Sequence, residues 1–426
     1  GASAAKVSAE LEVPSPLSTP SAAAAATAAP PQPPSSPLSG GASSCLVALG
    51  GSLGAPALGP TRPTATVERL WPSAAAAAWG RGEEARWEPC APLSGGPRLQ
   101  HCAVALGGCV YVLGGHDGER CLATCERLHV DGHWEELAPM LTARSGHNAA
   151  AVGNSIVVTG GMGDSCVQSM TLLEECEQLH KPGPGEADAA LGEWLPAGRM
   201  STPRRGHTSV ALMGKLYVVG GEAGGGSGCH ACESLAPGSR YWMPLPPPTT
   251  KWRNLSAAGV AGKLFVVASP SACGPVAAVC ECYDPLLGEW QQIPQHHGLS
   301  APATAAVVSD VLYVFGGRAN SRGLWECHSF DPAAEQWEAL PPLPLRSDVV
   351  GGTWRCSQAL AAGSELYALL SSGGPDVGTL SPNCALGGPS ALVRWCPEDR
   401  RWEELPAPAQ PDCELVLLCP GPAGKK

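Results

Sequence analysis

Cysteine is the first residue type to consider for chemistry, since this chain has 19 among 426 residues. One Cys-x-x-Cys motif, CHAC, joins Cys229 to Cys232, but no second pair of ligands lies near it in the sequence. A zinc site would need its ligands clustered tetrahedrally. Cys125, Cys176, Cys232 and Cys280 instead each precede a glutamate in a recurring segment. Because a buried free cysteine behaves as a small hydrophobic residue, we predict structural thiols, no metal site and no cofactor.

Histidine and glutamate recur at equivalent positions of repeated segments, which argues against catalysis, since a catalytic acid or base is usually a single residue. We predict that these histidines make structural hydrogen bonds and that these glutamates accept hydrogen bonds within the fold. The histidines are His101, His147 and His207, and the glutamates are Glu68, Glu126, Glu177, Glu233, Glu281 and Glu326.

Arginine is the residue type for which the sequence predicts a binding role. Its planar guanidinium holds a carboxylate through two parallel hydrogen bonds, and connecting loops carry function more often than buried strands do. Several arginines lie in the segments that link one repeat to the next or follow a glycine pair. The alternative is that they are solvated or pair with nearby acids. The predicted partner-binding residues are Arg98, Arg144, Ser145, Arg205, Arg253, Arg318, Asn320 and Arg346.

The composition sets limits on the fold and on the partners. Hydrophobic residues make up 44% and charged residues 15%, with 53 Gly and 43 Pro, which is typical of many short strands joined by turns. The net charge of -11 argues against a general nucleic-acid or membrane surface, so proteins are the predicted partners. We find no signal peptide and no apolar run of about 18 residues. The scattered cysteines indicate a cytoplasmic protein with reduced thiols.

The first 44 residues differ from the rest, being rich in Ala, Pro and Ser. This composition predicts a disordered linker over 1–44, followed by one domain over 45–426. Within the linker, Lys6–Val13 alternates well enough to form a stray strand. Because the first residue is glycine, we expect a processed or truncated chain that has lost an upstream domain.

From Cys45 onward the chain repeats an apolar segment that ends in a glycine pair. Such a run predicts a strand buried on both faces, and the glycines allow positive φ and close approach of neighbouring sheets. The fifth copy has lost both glycines. The copies are CLVALGG (45–51), CVYVLGG (109–115), SIVVTGG (155–161), KLYVVGG (215–221), KLFVVAS (263–269), VLYVFGG (311–317) and ELYALLSSGG (365–374).

A tryptophan closes each repeat and predicts an anchor over the seam between packed sheets. One repeat cannot bury both of its faces, but a radial array of repeats can. The tryptophans are Trp87, Trp134, Trp194, Trp242, Trp290, Trp337 and Trp402.

The order of a glycine pair, a Glu-containing strand, Tyr-Asp-Pro and Trp resembles the kelch signature. CYDPLLGEW (282–290) and SFDPAAEQW (329–337) are similar to it almost letter for letter. The resemblance covers Cys45 to about Cys419 and implies an all-β propeller of about seven four-stranded blades, with six as the alternative. The closing strand is predicted at Cys413–Cys419, or alternatively at Lys6–Val13.

The segment LAPMLTARSGH (137–147) most resembles kelch-like (BTB-kelch) adaptor proteins. This resemblance implies a protein-interaction module, the substrate-recognition part of a cullin-type ubiquitin ligase adaptor, with acidic peptides held by arginines at one mouth of the ring. Cullin ligase components are therefore expected partners. Actin-binding or scaffold kelch proteins are the alternative.

We predict no enzymatic activity. The copper-oxidase type of kelch fold needs two tyrosine ligands, and of the six tyrosines here only Tyr241 lies outside the repeated slots. The run of Glu, Asp and His that is typical of the iron-dependent type is also missing from the sequence. A sugar epimerase, which would need only scattered Arg and Glu residues, is the less favoured enzyme alternative.

Overall fold

The computed structural model describes residues 45–50, 52–53, 62–70, 87–166, 169–180, 192–224, 228–249, 252–270, 278–294, 303–315, 327–343, 353–362, 364–373, 390–397, 399–410 and 413–418. Residues 1–44, including Lys6–Val13, lie outside these ranges, so the predicted linker stays a prediction. Within the described ranges no helix is long and apolar enough to cross a membrane.

The strands form seven antiparallel four-stranded sheets, which we call blades 1 to 7. The first half of the chain supplies three strands of blade 1, all of blades 2 and 3, and two short hairpins, β2–β3 and β12–β13. Their strands are β1 (Cys45–Leu49), β2 (Ser52–Leu53), β3 (Arg62–Pro63), β4 (Val67–Leu70), β5 (Glu88–Pro89), β6 (Cys102–Leu106), β7 (Cys109–Leu113), β8 (Cys125–His129), β9 (Trp134–Leu137), β10 (Asn148–Val152), β11 (Ser155–Thr159), β12 (Met162–Cys166), β13 (Ser169–Leu172), β14 (Glu175–His180) and β15 (Trp194–Arg199).

Blades 4 to 7 each take four consecutive strands, and one further strand follows them. These strands are β16 (Thr208–Leu212), β17 (Lys215–Val219), β18 (Cys232–Leu235), β19 (Trp242–Pro244), β20 (Trp252–Val260), β21 (Lys263–Pro270), β22 (Val279–Asp284), β23 (Glu289–Gln292), β24 (Thr304–Val308), β25 (Val311–Phe315), β26 (Cys327–Asp331), β27 (Gln336–Ala339), β28 (Thr353–Ala362), β29 (Glu365–Gly373), β30 (Ser390–Cys396), β31 (Arg401–Leu405) and β32 (Glu414–Leu418).

We name the strands of each blade A to D from the inside of the ring outward. The A strand of each blade contacts the A strand of the next, and the contacts from β28 to β32 and from β32 to β6 complete the circle. The last strand, β32, pairs with β1 and so supplies the A strand of blade 1. The prediction of a seven-bladed propeller closed by its C-terminal strand is confirmed, and the six-bladed alternative is wrong.

Antiparallel order gives the ring two different ends. The A–B and C–D turns lie at one end, which we call the turn face. The B–C connections and the loops between blades lie at the other end, which we call the loop face. A binding residue placed in a loop between blades must therefore be sought on the loop face.

The B strands are buried on both faces, as the apolar runs predict. In β7, Val110 and Val112 pack in a cluster with blade 1, whereas Tyr111 and Leu113 pack in a cluster with blade 3. Alternate side chains of one strand thus fill the seams on both sides of the blade.

The glycine pairs end the A–B hairpins of blades 2 to 4 because a side chain would collide there. Gly114 has φ 55°, and a Cβ on it would lie 2.7 Å from the Arg144 carbonyl oxygen and 3.0 Å from the imidazole of His147 in the next blade. Gly115 has φ 105°, and a Cβ on it would lie 2.8 Å from the carbonyl oxygen of Leu99. Each glycine pair therefore fits closely against neighbouring backbone and a histidine.

Blade 5 shows what happens without the glycines. Ala268 and Ser269 replace them, and Leu255, which pairs with Ala268, stands where blade 4 has His207. The A and B strands here continue for 9 and 8 residues, against 5 each in blade 4, with a bulge between Arg253 and Leu255. Loss of the pair has turned a sharp chain reversal into a longer hairpin.

The tryptophans tie every blade to the one before it. Each indole Nε1–H donates to a backbone carbonyl at or just after the D strand of the preceding blade. The seven bonds are Trp87 to Pro406, Trp134 to Ala91, Trp194 to Ala138, Trp242 to Ala197, Trp290 to Pro246, Trp337 to Pro294 and Trp402 to Pro341, at 2.6–3.1 Å.

Removing the closing strand tests the ring. Deletion of residues 413–426 takes away β32, in which Leu415, Val416 and Leu418 are buried. Each such side chain stabilises the fold by roughly 1.5–3 kcal/mol, so we expect the Tm to fall by more than about 10 °C or the cooperative transition to disappear. Deletion of 419–426 is the control and should leave the Tm unchanged in a thermal scan followed by circular dichroism. Equal stability of the two truncations would show that β32 does not close the ring.

Candidate functional site

Three loops between blades carry a buried arginine that is bound within its own blade. Arg144 is fully buried, and its Nη1 donates to the carbonyl oxygens of Gly160 at 2.8 Å and Glu175 at 3.0 Å. Its Nη2 forms an ion pair with the buried carboxylate of Glu177. The guanidinium therefore binds the end of the B strand, the start of the C strand and a buried acid at once.

The same arrangement recurs in the neighbouring blades. Arg98 pairs with Glu126 at 2.9 Å, and Arg204 pairs with Glu233 at 2.7 Å. Each also donates to a carbonyl oxygen of a glycine pair, Gly114 for Arg98 and Gly220 for Arg204. Each arginine lies four positions before the first residue of its A strand.

The structure places Arg98, Arg144 and Ser145, which the sequence predicts to bind partners, inside the propeller and away from its surface. All three are fully buried. The Ser145 hydroxyl lies 3.4 Å from the Cys121 thiol, inside the blade. A partner on the surface cannot contact these side chains without a rearrangement of the loops that bury them.

Arg205 has a different position and a different environment. It follows the buried Arg204, so it is equivalent to Ser145 in blade 3 and Leu99 in blade 2. Its side chain is 39% exposed, and its Nη2 lies 2.9 Å from the Glu222 carboxylate. Backbone bridges pair Arg205 with Glu222 and Ser145 with Met162 across the loop face. The sequence analysis missed Arg204, although counting back from the A strand would have found it.

The remaining predicted arginines are only partly described. Arg253 lies in β20, three residues before Ser256, as Arg205 lies three residues before Thr208. Its backbone position thus corresponds to that of Arg205. Trp252, which is 1% exposed, takes the place of the buried arginine in this blade. Arg318, Asn320 and Arg346 lie outside the described residues.

The described part of the loop face is not a basic mouth. In blades 2 to 4 its B–C connections carry Asp117, Glu119, Asp164 and Glu222, against the single arginine Arg120. Asp164 accepts a hydrogen bond from the backbone N–H of Cys121 and holds two neighbouring blades together. Of the arginines predicted at this face in blades 2 to 4, Arg98 and Arg144 are buried and Arg205 is half-exposed.

The repeated glutamates accept hydrogen bonds from the loops between blades, as predicted. Glu281 accepts from the N–H and hydroxyl of Thr249, and Glu68 accepts from the N–H of Ala409. In blade 6 the strand register puts His328, not Glu326, at the equivalent position. Glu326 itself lies outside the described residues.

The repeated histidines pack more than they hydrogen-bond. His207 Nε2 lies 2.7 Å from the Thr159 hydroxyl, but neither ring nitrogen of His147 has a partner among the described residues. Burial, with the nearby Arg98, lowers the pKa of His101 to about 3, and burial beside Arg204 and Arg144 lowers that of His207 to about 3. The imidazoles of His101 and His207 are therefore neutral at pH 7, and they pack against the glycine pairs.

Fifteen cysteines of the described residues form no disulfide, and most of them are buried. Burial raises the pKa of Cys125, Cys176, Cys232 and Cys280 to about 12, as expected for structural thiols. No group of three or more His, Cys, Asp or Glu side chains that could hold a metal ion occurs in the described ranges.

Comparison with known proteins identifies the repeats. Residues 97–141, 203–249 and 300–344 match the family described as Kelch motif. The solved structure of YjhT superposes with a TM-score of 0.50 and 13% identity, covering 73% of this chain and 98% of that one. This similarity concerns the fold alone.

Curated relatives match over shorter stretches. Kelch-like protein 33 of Homo sapiens is 28% identical over 42% of this chain and 32% of its own length. Kelch-like protein 23 of Pongo abelii is 31% identical over 29% of this chain and 21% of its own, and Beta-scruin of Limulus polyphemus is 33% identical over 29% and 13%. The matches thus span a third or less of each relative.

Substitution of the two neighbouring arginines of blade 4 should lower the free energy of unfolding by very different amounts. Arg204→Ala leaves the buried Glu233 carboxylate without its partner and should cost about 3–5 kcal/mol of unfolding free energy. Arg205→Ala removes a half-exposed ion pair and should cost less than about 1 kcal/mol. Urea unfolding of the two variants measures the difference. An Arg204→Ala variant as stable as wild type would show that this arginine is not part of the fold's internal framework.

The buried histidines predict sensitivity to acid. Folded His207 has a pKa of about 3, well below the 6.5 of an ordinary histidine. Between these two pH values the histidine therefore binds a proton in the unfolded chain but not in the folded chain. Stability should therefore fall as the pH drops from about 6.5 towards about 3, by about 2 kcal/mol per such histidine at pH 5. Urea unfolding at pH 7 and pH 5 should show a smaller difference for His207→Gln than for wild type. His133→Gln, at a 57% exposed side chain, is the control that should leave the difference unchanged.

Proposed function

We propose that this kelch-repeat propeller, which resembles the propeller half of kelch-like proteins, binds acidic segments of partner proteins on its loop face. Within a longer protein it would act as the substrate-recognition part of a cullin-type ubiquitin ligase adaptor. The observation that carries the binding proposal is the half-exposed guanidinium of Arg205, set beside the buried framework of blade 4.

The surroundings of Arg205 suit recognition of a carboxylate. Its Nε lies 3.0 Å from the Glu222 carboxylate, so the guanidinium already holds an acid in a favourable geometry. An exposed pair of this kind contributes little to stability. A partner carboxylate can therefore replace Glu222 at small cost. Met162, whose sulfur lies 2.9 Å from Arg205 Nη1, adds an apolar neighbour on the side of blade 3.

A second arginine extends the proposed surface into the next blade. Arg253 shares the backbone position of Arg205 in adjacent blades, and Arg318 and Arg346 follow in the segments of blades 6 and 7. The proposed acid-binding sector begins at Arg205 in blade 4 and includes the backbone position of Arg253 in blade 5, whereas Asp117, Glu119 and Asp164 lie in blades 2 and 3. Such a division would orient an acidic peptide, since like charges repel it from one side.

The ligase role rests on the resemblance to kelch-like proteins. The matched relatives are at least about three times longer than the stretch they share with this chain. In this proposal a region other than the propeller recruits the ligase, and the propeller supplies the choice of substrate.

A quantitative affinity capture from cell lysate tests the proposal. The wild-type chain is compared with an Arg205→Ala/Arg253→Ala variant and with Arg120→Ala, a control at a 76% exposed arginine of the acidic sector. Partners that carry acidic motifs should fall at least tenfold with the double variant, consistent with about 2 kcal/mol for a central arginine, and stay unchanged with the control. Identical partner sets would refute the acid-binding sector.

The same captures separate the two larger roles. Cullin and its associated components among the wild-type partners of a full-length protein would support the adaptor role. The second candidate is an actin-binding kelch scaffold, a class that the resemblance also implies. Co-sedimentation with actin filaments, retained in the double variant, would favour that candidate.

A further inference from the structure

A cysteine, a histidine and a glutamate meet on the turn face of blade 2, away from the proposed binding sector. Cys109 begins the B strand, and its Sγ lies 3.7 Å from Nδ1 of His129 at the end of the C strand. The opposite ring nitrogen, Nε2, lies 2.8 Å from the Glu135 carboxylate on the D strand. Strand register makes Cys109 and His129 direct partners, so the arrangement is fixed by the sheet.

The glutamate determines which nitrogen of the ring carries the proton. Burial opposes ionisation of Glu135, but hydrogen bonds from Arg127 and His129 outweigh it and lower its pKa. An ionised carboxylate only accepts, so Nε2 of His129 must be the donor. Nδ1 is then left with its lone pair directed at the thiol, which is the arrangement that activates a thiol nucleophile.

Blade 3 repeats the geometry with an oxygen. Ser155 begins its B strand, and the hydroxyl lies 3.0 Å from Nδ1 of His180, its partner across the sheet. Gln178 also donates to that hydroxyl. The position therefore places a nucleophilic side chain against an imidazole in two blades, and only blade 2 combines a thiol with an ionised carboxylate behind the ring.

The thiol lies near the A–B turn of the blade. Cys109 is 8% exposed and belongs to the apolar cluster shared with blade 3, two residues from the exposed Gly107 in that turn. The side chains of His129 and Glu135 are 24% and 31% exposed. The turn face is therefore the side from which a reagent must reach the sulfur.

We propose that Cys109 is a site of reversible covalent modification by low-molecular-weight disulfides. The Cys109 S–H proton passes to Nδ1 of His129, and the thiolate attacks one sulfur of the disulfide. A bond forms between Cys109 Sγ and that sulfur while the S–S bond of the reagent breaks. The leaving thiolate takes the proton back from His129 and departs as a thiol. The products are a mixed disulfide and one free thiol, so atoms and electrons balance.

The charged and titratable groups around the thiol and the imidazole come from three strands and one turn. Arg127 holds Glu135 at 2.6 Å, and the ring of His133 stacks on His129 with centroids 4.0 Å apart. The carboxylate of Asp131 is hydrogen-bonded to Nδ1 of His133, and Tyr111 lies beside Arg127. The carboxylates balance the positive charge that His129 acquires during proton transfer.

The test is the rate of modification of each cysteine in the full chain. The protein is mixed with an aromatic disulfide at pH 7, quenched at intervals and digested, and labelled peptides are quantified by mass spectrometry. Cys90 and Cys396 serve as internal references, because both are more exposed than Cys109 and burial raises the pKa of each. We expect Cys109 to react at least about ten times faster than either, and His129→Gln and Glu135→Gln to slow Cys109 alone.

Two results would overturn the proposal. One is a Cys109 rate no greater than the rates of the two references in wild type. The other is a Cys109 rate that His129→Gln leaves unchanged. Unaltered Cys90 and Cys396 rates show that a variant is folded.

Discussion

The indole N–H bond from each D strand to the backbone of the preceding blade is the contact that all seven blades share. A sheet with two apolar faces is unstable alone, and hydrophobic packing does not fix how far one sheet slides along the next. A directional hydrogen bond does fix it. Trp87, bonded to Pro406, makes the same contact between blade 1 and blade 7, so the constraint continues through the junction where the two ends of the chain meet.

The buried arginines follow from this ring. Close packing brings the glycine pair of one blade against the next blade and leaves carbonyl oxygens with no strand to pair with. Buried carbonyl groups need donors. Arg144 serves the carbonyls of Gly160 and Glu175 and is itself neutralised by Glu177. The positive charge of Arg144, which the sequence suggests could bind a partner, is therefore paired with Glu177 inside the blade.

Much of the fold could be predicted from the sequence because it rests on local patterns. The apolar runs, the glycine pairs and the tryptophans each recur with their own spacing. The closing strand at the C-terminus could also be predicted from its apolar sequence. The site was harder to predict, because Arg204 is buried whereas Arg205, the next residue, is half-exposed. A change of one position in an extended segment exchanges inside for outside. The cysteine, histidine and glutamate of blade 2 escaped notice because 20 residues separate the first two along the chain.

The inner strands carry a second set of links that explains how a C-terminal strand can close the ring. A polar side chain of an A strand reaches the backbone of the next A strand: Ser256 accepts from the N–H of Ala305, and Thr304 donates to the carbonyl oxygen of Cys356. At the junction, Gln358 both donates to the carbonyl oxygen of Leu415, at 2.7 Å, and accepts from its N–H, at 2.8 Å. An amide side chain can make both bonds at once, whereas Ser and Thr each make one here. No turn connects β32 to β1, the strand beside it in blade 1. The two hydrogen bonds from Gln358 therefore help to hold β32 in place where a covalent turn is missing.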